Sequence, residues 1–356
     1  MRARRVLPAT LAVGAVSIAL ATSTIAQETK LRFPEVSTLA CAPGAGVICG
    51  LRNPEDLDRI LGGRWIIASG LAPGALYRID ARSRRTTDLL ASMRTAWDRR
   101  LYPDCAAPLD RAGLLSHGIA VDRSGTRLLV VNHGTREAIE VFSLRARDAQ
   151  PTWVGCVPLP DGLAANSVAA LPADGFAVTN FAPPTPAGFA MVAEGRPSGD
   201  VRTWSPRGAW QTVPGSQGSG PNGILADADG RTLYVARSGS RDVVRIERQT
   251  GRVLATSVRL AIMPDNLRWR DAAASTLIVT GMKVDPAAAL RCFAQTTCRP
   301  RVAILAFSRA KLSSTPVAEL PEDVTGGPAT TALAVDKTYW LGSFRSNRID
   351  IVTPHP

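Results

Sequence analysis

Short apolar runs recur along this chain, each followed or preceded by a pair of turn residues. LLVVN (128–132), FAVTN (176–180), LYVAR (233–237) and LIVTG (277–281) are typical. Before each lies a second short apolar segment and a tight turn, as in GIAVDRSGTR, SVAALPADG and GILADADGR. Runs of this length, bounded by Ser-Gly and Asp-Gly, predict hairpins of buried strands. Helical periodicity is scarce, and RNPEDLDRI (52–60) and DPAAALRCF (285–293) come nearest to it.

The hairpins repeat. Successive units open at Glu55, His117, Asn166, Asn222, Asp265 and Thr331, 43 to 66 residues apart. Several continue into a third strand, as in GALYRID, EAIEVF, DVVRIE and NRIDIV. Units of about 40–50 residues made of short antiparallel strands predict an all-β, six-bladed β-propeller, with a β-sandwich or a pair of β-domains as the competing arrangement. The propeller would occupy residues 27–356 as a single domain.

In a propeller the innermost strand of each blade lines a central channel. The residue opening each unit would therefore stand at one mouth of that channel. Read round the ring, those positions are Glu55 and Asp56, His117, Asn166, Asn222, Asp265 and Asn266, and Thr331. A single Asn-Gly or Asp-Asn is ordinarily a turn. Polar groups at one phase of consecutive repeats are different, because buried carboxylates and amides are costly unless something satisfies them. Glu55, Asn166, Asn222, Asp265 and Asn266 offer five hard oxygens, which with water suit the six to eight ligands of calcium; zinc would call for more histidine or cysteine. The reading is a propeller with a central calcium site.

Composition narrows the setting. MRARR followed by LPATLAVGAVSIALATSTIA predicts a signal peptide over residues 1–26, and no later run approaches the ~18 apolar residues of a membrane span. Its removal takes Arg2, Arg4 and Arg5 with it and lowers the formal charge from +12 to +9. The remaining arginines are scattered, without the basic blocks and interleaved aromatics that nucleic-acid binding requires. Six cysteines in an exported chain predict disulfides, with Cys41–Cys49, Cys105–Cys156 and Cys292–Cys298 as one pairing of fifteen. A secreted or periplasmic protein follows.

His117 and His133 bracket one hairpin, in a chain whose only other histidine is His355. PEDL and ASGL (54–71), HGI (117–119), LLVVNH (128–133), Asn166, PNGI (221–224) and DNL (265–267) occur in an order that resembles the paraoxonase-type calcium-dependent lactonases and arylesterases. Those proteins belong to the wider group of gluconolactonase and strictosidine-synthase-like propellers. The resemblance runs from about residue 50 to 270, and the HGI–VVNH pair is its specific part. It implies that Glu55, Asn166, Asn222, Asp265 and Asn266 hold a catalytic calcium, with His117 beside it and His133 behind. It also implies that Asp56 and the carbonyl of Ile119 serve a second, structural calcium. Here the chain departs: Ser167 stands where the family has an aspartate, so the second site lacks a carboxylate. The family's disulfide between the chain ends also has no counterpart, leaving closure to strand pairing or a terminal strand added to the last blade.

The chemistry expected is hydrolysis of a small lactone or aryl ester, with the metal polarising the carbonyl. Either His117 or a metal-held carboxylate, Glu55 or Asp265, is the base for water, and the amides of Asn166 and Asn222 assist the oxyanion. No G-x-S-x-G elbow is present. The Pro- and Gly-rich stretch 181–200, with Phe181, Phe189 and Met191, is a candidate apolar wall, and the insert 93–115 another. The alternatives are a sugar-lactone hydrolase of gluconolactonase type and a non-catalytic propeller that calcium stabilises.

Overall fold

The computed structural model describes residues 35–354 except 45, 61, 146, 272, 294, 296 and 297, so the signal segment and His355 lie outside the described residues. The first strand is β1 (Val47–Cys49). Then β2 (Leu57–Arg59), β3 (Trp65–Ser69), β4 (Leu76–Asp80) and β5 (Thr86–Asp88) form the first blade. Next come β6 (Arg94–Thr95), β7 (Ser116–Val121), β8 (Arg127–His133), β9 (Glu137–Arg145) and β10 (Gln150–Pro158), where β6 adds a parallel edge to β10. The third blade is β11 (Ala165–Ala170), β12 (Phe176–Asn180), β13 (Asp200–Ser205) and β14 (Ala209–Thr212), with α1 (Pro186–Ala193) between its second and third strands. The fourth is β15 (Pro221–Ala226), β16 (Thr232–Arg237), β17 (Asp242–Glu247) and β18 (Val253–Thr256). In the fifth, β19 (Met263–Trp269) and β20 (Thr276–Met282) precede α2 (Pro286–Phe293), β21 (Val302–Ser308) and β22 (Ser314–Leu320). The last blade is β23 (Ala329–Val335), β24 (Thr338–Ser343) and β25 (Arg348–Val352), completed by β1.

Among the described residues these are six sheets of four or five strands, a six-bladed propeller. The predicted hairpins are the inner two strands of each blade. Their apolar runs are continuous rather than alternating because both faces of a blade are covered by neighbours, as the fully buried Leu128–Val131 shows. Core lies between blades: Ile67 and Leu76 of the first share a cluster with Leu129 and Val131 of the second, and Ile304 of the fifth shares one with Leu341 of the last.

The ring closes through β1, which pairs antiparallel with β25 (Ile48 opposite Ile349) and so becomes the outer strand of the last blade. This is the terminal strand that the sequence called for in place of an end-to-end disulfide. Cys41–Cys49, Cys105–Cys156 and Cys292–Cys298 are all bonded, in keeping with an oxidising, extracytoplasmic compartment. Among the described residues no helix is long and apolar enough to cross a membrane.

Two local expectations divide. DPAAALRCF supplies α2, but RNPEDLDRI enters β2 in extended form, because Leu57 pairs with Ala68 and is fully buried. Conversely, the proline-rich stretch 181–200 contains α1. Thr185 caps it by accepting a bond from the Gly188 amide (3.1 Å), and Pro186 sits in the first turn, where its missing N–H costs nothing.

Candidate functional site

In four successive blades the innermost strand carries a register shift at the polar position. The breaks fall between Ser116 and Ile119, Ala165 and Val168, Pro221 and Ile224, and Pro264 and Leu267. Residues 117–118, 166–167, 222–223 and 265–266 thus leave the ladder at the same mouth of the channel. Such bulges re-aim side chains, and here they deliver His117, Asn166, Asn222, Asp265 and Asn266 together. The blades meet closely at this level. A Cβ on Gly118 would stand 2.4 Å from the Asn166 carbonyl oxygen, and one on Gly223 would stand 2.5 Å from the Leu267 nitrogen. The glycines of HGI and NGI are therefore packing requirements.

Glu55 enters the ring from the loop before β2. Its Oε1 accepts the Asn266 amide at 2.7 Å and lies 3.9 Å from His117 Nε2. Asn222 donates its amide nitrogen to Ser238 Oγ (3.2 Å) and also bonds Asp265. These bonds orient both amides, and they leave Asn222 little to donate to an oxyanion, contrary to the sequence expectation. The oxygens tell the other half. Glu55 Oε2, Asn166 Oδ1, Asn222 Oδ1 and Asn266 Oδ1 are buried and have no hydrogen-bond partner, and the same is true of Thr331 Oγ1. An unmet buried acceptor costs about 1–3 kcal/mol, so a group of them in one place needs a cation or donor.

The carboxyls carry the same strain. Burial pushes Asp265 up to about 8, with Asp56 adding to the rise. Burial also lifts Glu55 well above the usual carboxylate range, reinforced by Asp56 and Asp265. Among the described residues no three His, Cys, Asp or Glu side chains gather into a metal-holding group. The donors here are instead a mixture of two carboxylates and three amide oxygens, a set of hard ligands that fits calcium.

His117 Nδ1 is 3.1 Å from His133 Nε2, and His133 Nδ1 is 2.7 Å from Glu137 Oε2. Glu137, a carboxylate that the sequence reading passed over, stands directly opposite His133 across the β8–β9 hairpin. The chain of bonds assigns the tautomers. An ionised Glu137 accepts the His133 Nδ1–H, so His133 Nε2 accepts the His117 Nδ1–H. The free lone pair is then on His117 Nε2, facing the ring. Burial and the neighbouring His133 hold His117 well below the usual imidazole value, which keeps it neutral.

The second cluster of predicted ligands is occupied otherwise. Asp56 Oδ2 pairs with Arg268 Nη2, which also donates to the Ile119 carbonyl at 3.1 Å. Both groups expected to hold a structural calcium are thus engaged by a guanidinium, and Ser167, with its Oγ buried and unpartnered, adds no charge. The residues present do not fit a second metal ion.

α1 lies over the same mouth. Ser219 Oγ donates to the Val192 carbonyl (3.5 Å), three residues before Asn222, and α1 packs against α2. The Phe181 and Phe189 rings are 6.2 Å apart and half-buried, as is Met191.

No family model matches the chain, and no curated protein does. Solved structures do match. A gluconolactonase from Xanthomonas campestris is 16% identical over 87% of this chain and 89% of its own, with a TM-score of 0.51. A luciferin-regenerating enzyme is 12% identical over 87% and 92%, with a TM-score of 0.51. The PQQ-bound aldose sugar dehydrogenase of Streptomyces coelicolor is 13% identical over 87% and 96%, again at 0.51. These share the propeller fold while their names describe different chemistries, so the likeness establishes architecture.

Proposed function

We propose that this protein is a calcium-dependent hydrolase of small lactones or aryl esters. The observation that carries the reading is the set of unpartnered oxygens of Glu55, Asn166, Asn222 and Asn266 gathered beside the free Nε2 of His117. Together with Asp265, those oxygens would hold the ion, which when bound supplies a Lewis acid for the substrate carbonyl.

The chain's own residues provide the rest. His117 Nε2 takes a proton from the attacking water. The imidazolium that forms on His117 is stabilised through His133 by the Glu137 carboxylate, and its Nε2 proton passes to the leaving oxygen as the tetrahedral intermediate collapses, which restores the neutral base. His133 and Glu137 are positioning residues, since they fix the tautomer and ring plane of His117. Glu55 and Asp265 serve better as ligands than as bases, because Glu55 already accepts from Asn266 and Asp265 from Asn222. The half-buried Phe181, Phe189 and Met191 at the rim favour an apolar acyl or aryl group over a sugar lactone, which would need polar partners there.

The test is turnover of phenyl acetate and a panel of apolar and sugar lactones, with calcium present, chelated and restored. Activity that disappears on chelation and returns with calcium is the expected result. His117→Gln should lower kcat by roughly 10²–10⁴-fold while leaving calcium-dependent stability intact. Calcium-dependent stability without turnover of any substrate would instead make this a binding propeller.

A further inference from the structure

We propose that the guanidinium of Arg268 is the channel's second cation, built into the chain, and that the position beneath the ring takes no metal. Arg268 follows Asp265 and Asn266 on β19 and is only 3% exposed. Its Nη2 pairs with Asp56 and donates to the Ile119 carbonyl (3.1 Å), its Nε donates to the Leu57 carbonyl, and its Nη1 donates to the Leu267 carbonyl (2.7 Å). Leu57, Ile119 and Leu267 belong to the innermost strands of three different blades. One planar group therefore ties β2, β7 and β19 across the axis, which its fork of donors suits and a lysine's single ammonium does not.

The charges close as well. Asp56 is fully buried; its Oδ1 accepts the Leu57 amide and its Oδ2 the Ile119 amide, both at 2.9 Å. Its remaining demand is for one positive charge, which Arg268 meets. Asp58, the nearest further acid, is already bonded to the Val121 amide at 2.7 Å. A divalent ion added here would face a buried guanidinium, while Asp58 is taken up by the Val121 amide, Glu55 by Asn266, and position 167 is serine. The ring above, with its unmet oxygens, is the place where a cation is lacking. This inference stands whether or not the ring holds calcium.

The experiment combines calcium stoichiometry by isothermal titration with melting of the mature chain in chelator. The wild type should bind no more than one tightly held ion. Arg268→Met, which leaves the Asp56 carboxylate buried and unpaired, should lower Tm in chelator by roughly 5–10 °C. Asp56→Asn with Arg268→Met should recover part of that loss, because the orphaned charge is gone. If Arg268→Met does not fold, Arg268→Lys carries the comparison, with a smaller Tm loss expected from losing the fork. Two ions per wild-type chain overturn the proposal, as does a wild-type Tm for Arg268→Met, or for Arg268→Lys where only that variant folds. Zero ions bound would remove the proposed function and leave the Arg268 assignment to the melting data.

Discussion

Asp265 is where burial, charge and the proposed metal binding meet in one residue. Folding raises its pKa from an unfolded value of about 4 to about 8, chiefly by burial, and Glu55 moves in the same direction. A raised carboxyl holds its proton more tightly in the folded state, so this group favours the metal-free fold at low pH and the benefit is lost as pH rises from about 4 to about 8. Calcium takes the ionised form and reverses that loss. The stabilisation on adding calcium should therefore grow steadily between about pH 5.5 and about pH 8.5, approaching the ~2.7 kcal/mol that a ligand at a hundred times its Kd provides. Melting curves with calcium and with chelator across that range check it, and a gain independent of pH would contradict it. Asn166→Ala should diminish the gain at every pH without lowering the metal-free Tm, because it removes an unpartnered acceptor.

At the scale of elements, what the sequence showed and what it concealed have physical causes. The hairpins were legible because a blade buried on both faces demands unbroken apolar runs, and the ring because its polar residues fall at one phase of the repeat. Glu137 lies only four residues from His133 and was hidden because it opens the next strand: the tight pairing of β8 with β9 is what puts it opposite His133. Arg268 was hidden because its partners, Asp56 and Ile119, lie in other blades. α1 was hidden because Pro and Gly read as loop signals, although Pro186 and Thr185 suit the start of a helix. Under the proposed function, Phe189 on α1 contacts substrate rather than serving the fold. Phe189→Ala should lower kcat/KM for aryl esters and long-chain lactones by roughly 3–10-fold, mostly through KM, the loss expected from one aromatic contact. Sugar-lactone turnover should not change, and a uniform fall in kcat for all substrates would show that α1 positions the catalytic groups instead.

At the scale of the molecule, a ring of blades is only as strong as its weakest junction, and the last blade meets the first through a shared apolar cluster (Leu57 and Ile66 with Leu333 and Trp340) and through the three residues of β1. Cys41–Cys49 anchors that strand but spans only 8 residues, whereas Cys105–Cys156 spans 51 and staples the insert before His117 to β10. Loop-closure entropy ranks them at about 2.5 and about 4 kcal/mol respectively. The two features also fail differently. Losing Cys105–Cys156 loosens an insert on a ring that remains closed, so Cys105→Ser with Cys156→Ser should give the larger Tm drop of the two disulfide variants, yet keep a cooperative transition and the calcium-dependent shift. Removing residues 27–50 deletes β1 itself, strips β25 of its partner and exposes a sheet edge. That truncation should abolish both cooperativity and the calcium shift and promote aggregation, because the proposed metal ligands, drawn from four blades, keep their places only while the ring is closed. Calorimetry of the three variants with and without calcium separates the two effects. A truncated chain that still melted cooperatively and still responded to calcium would show that blade-to-blade packing, rather than β1, holds the site together.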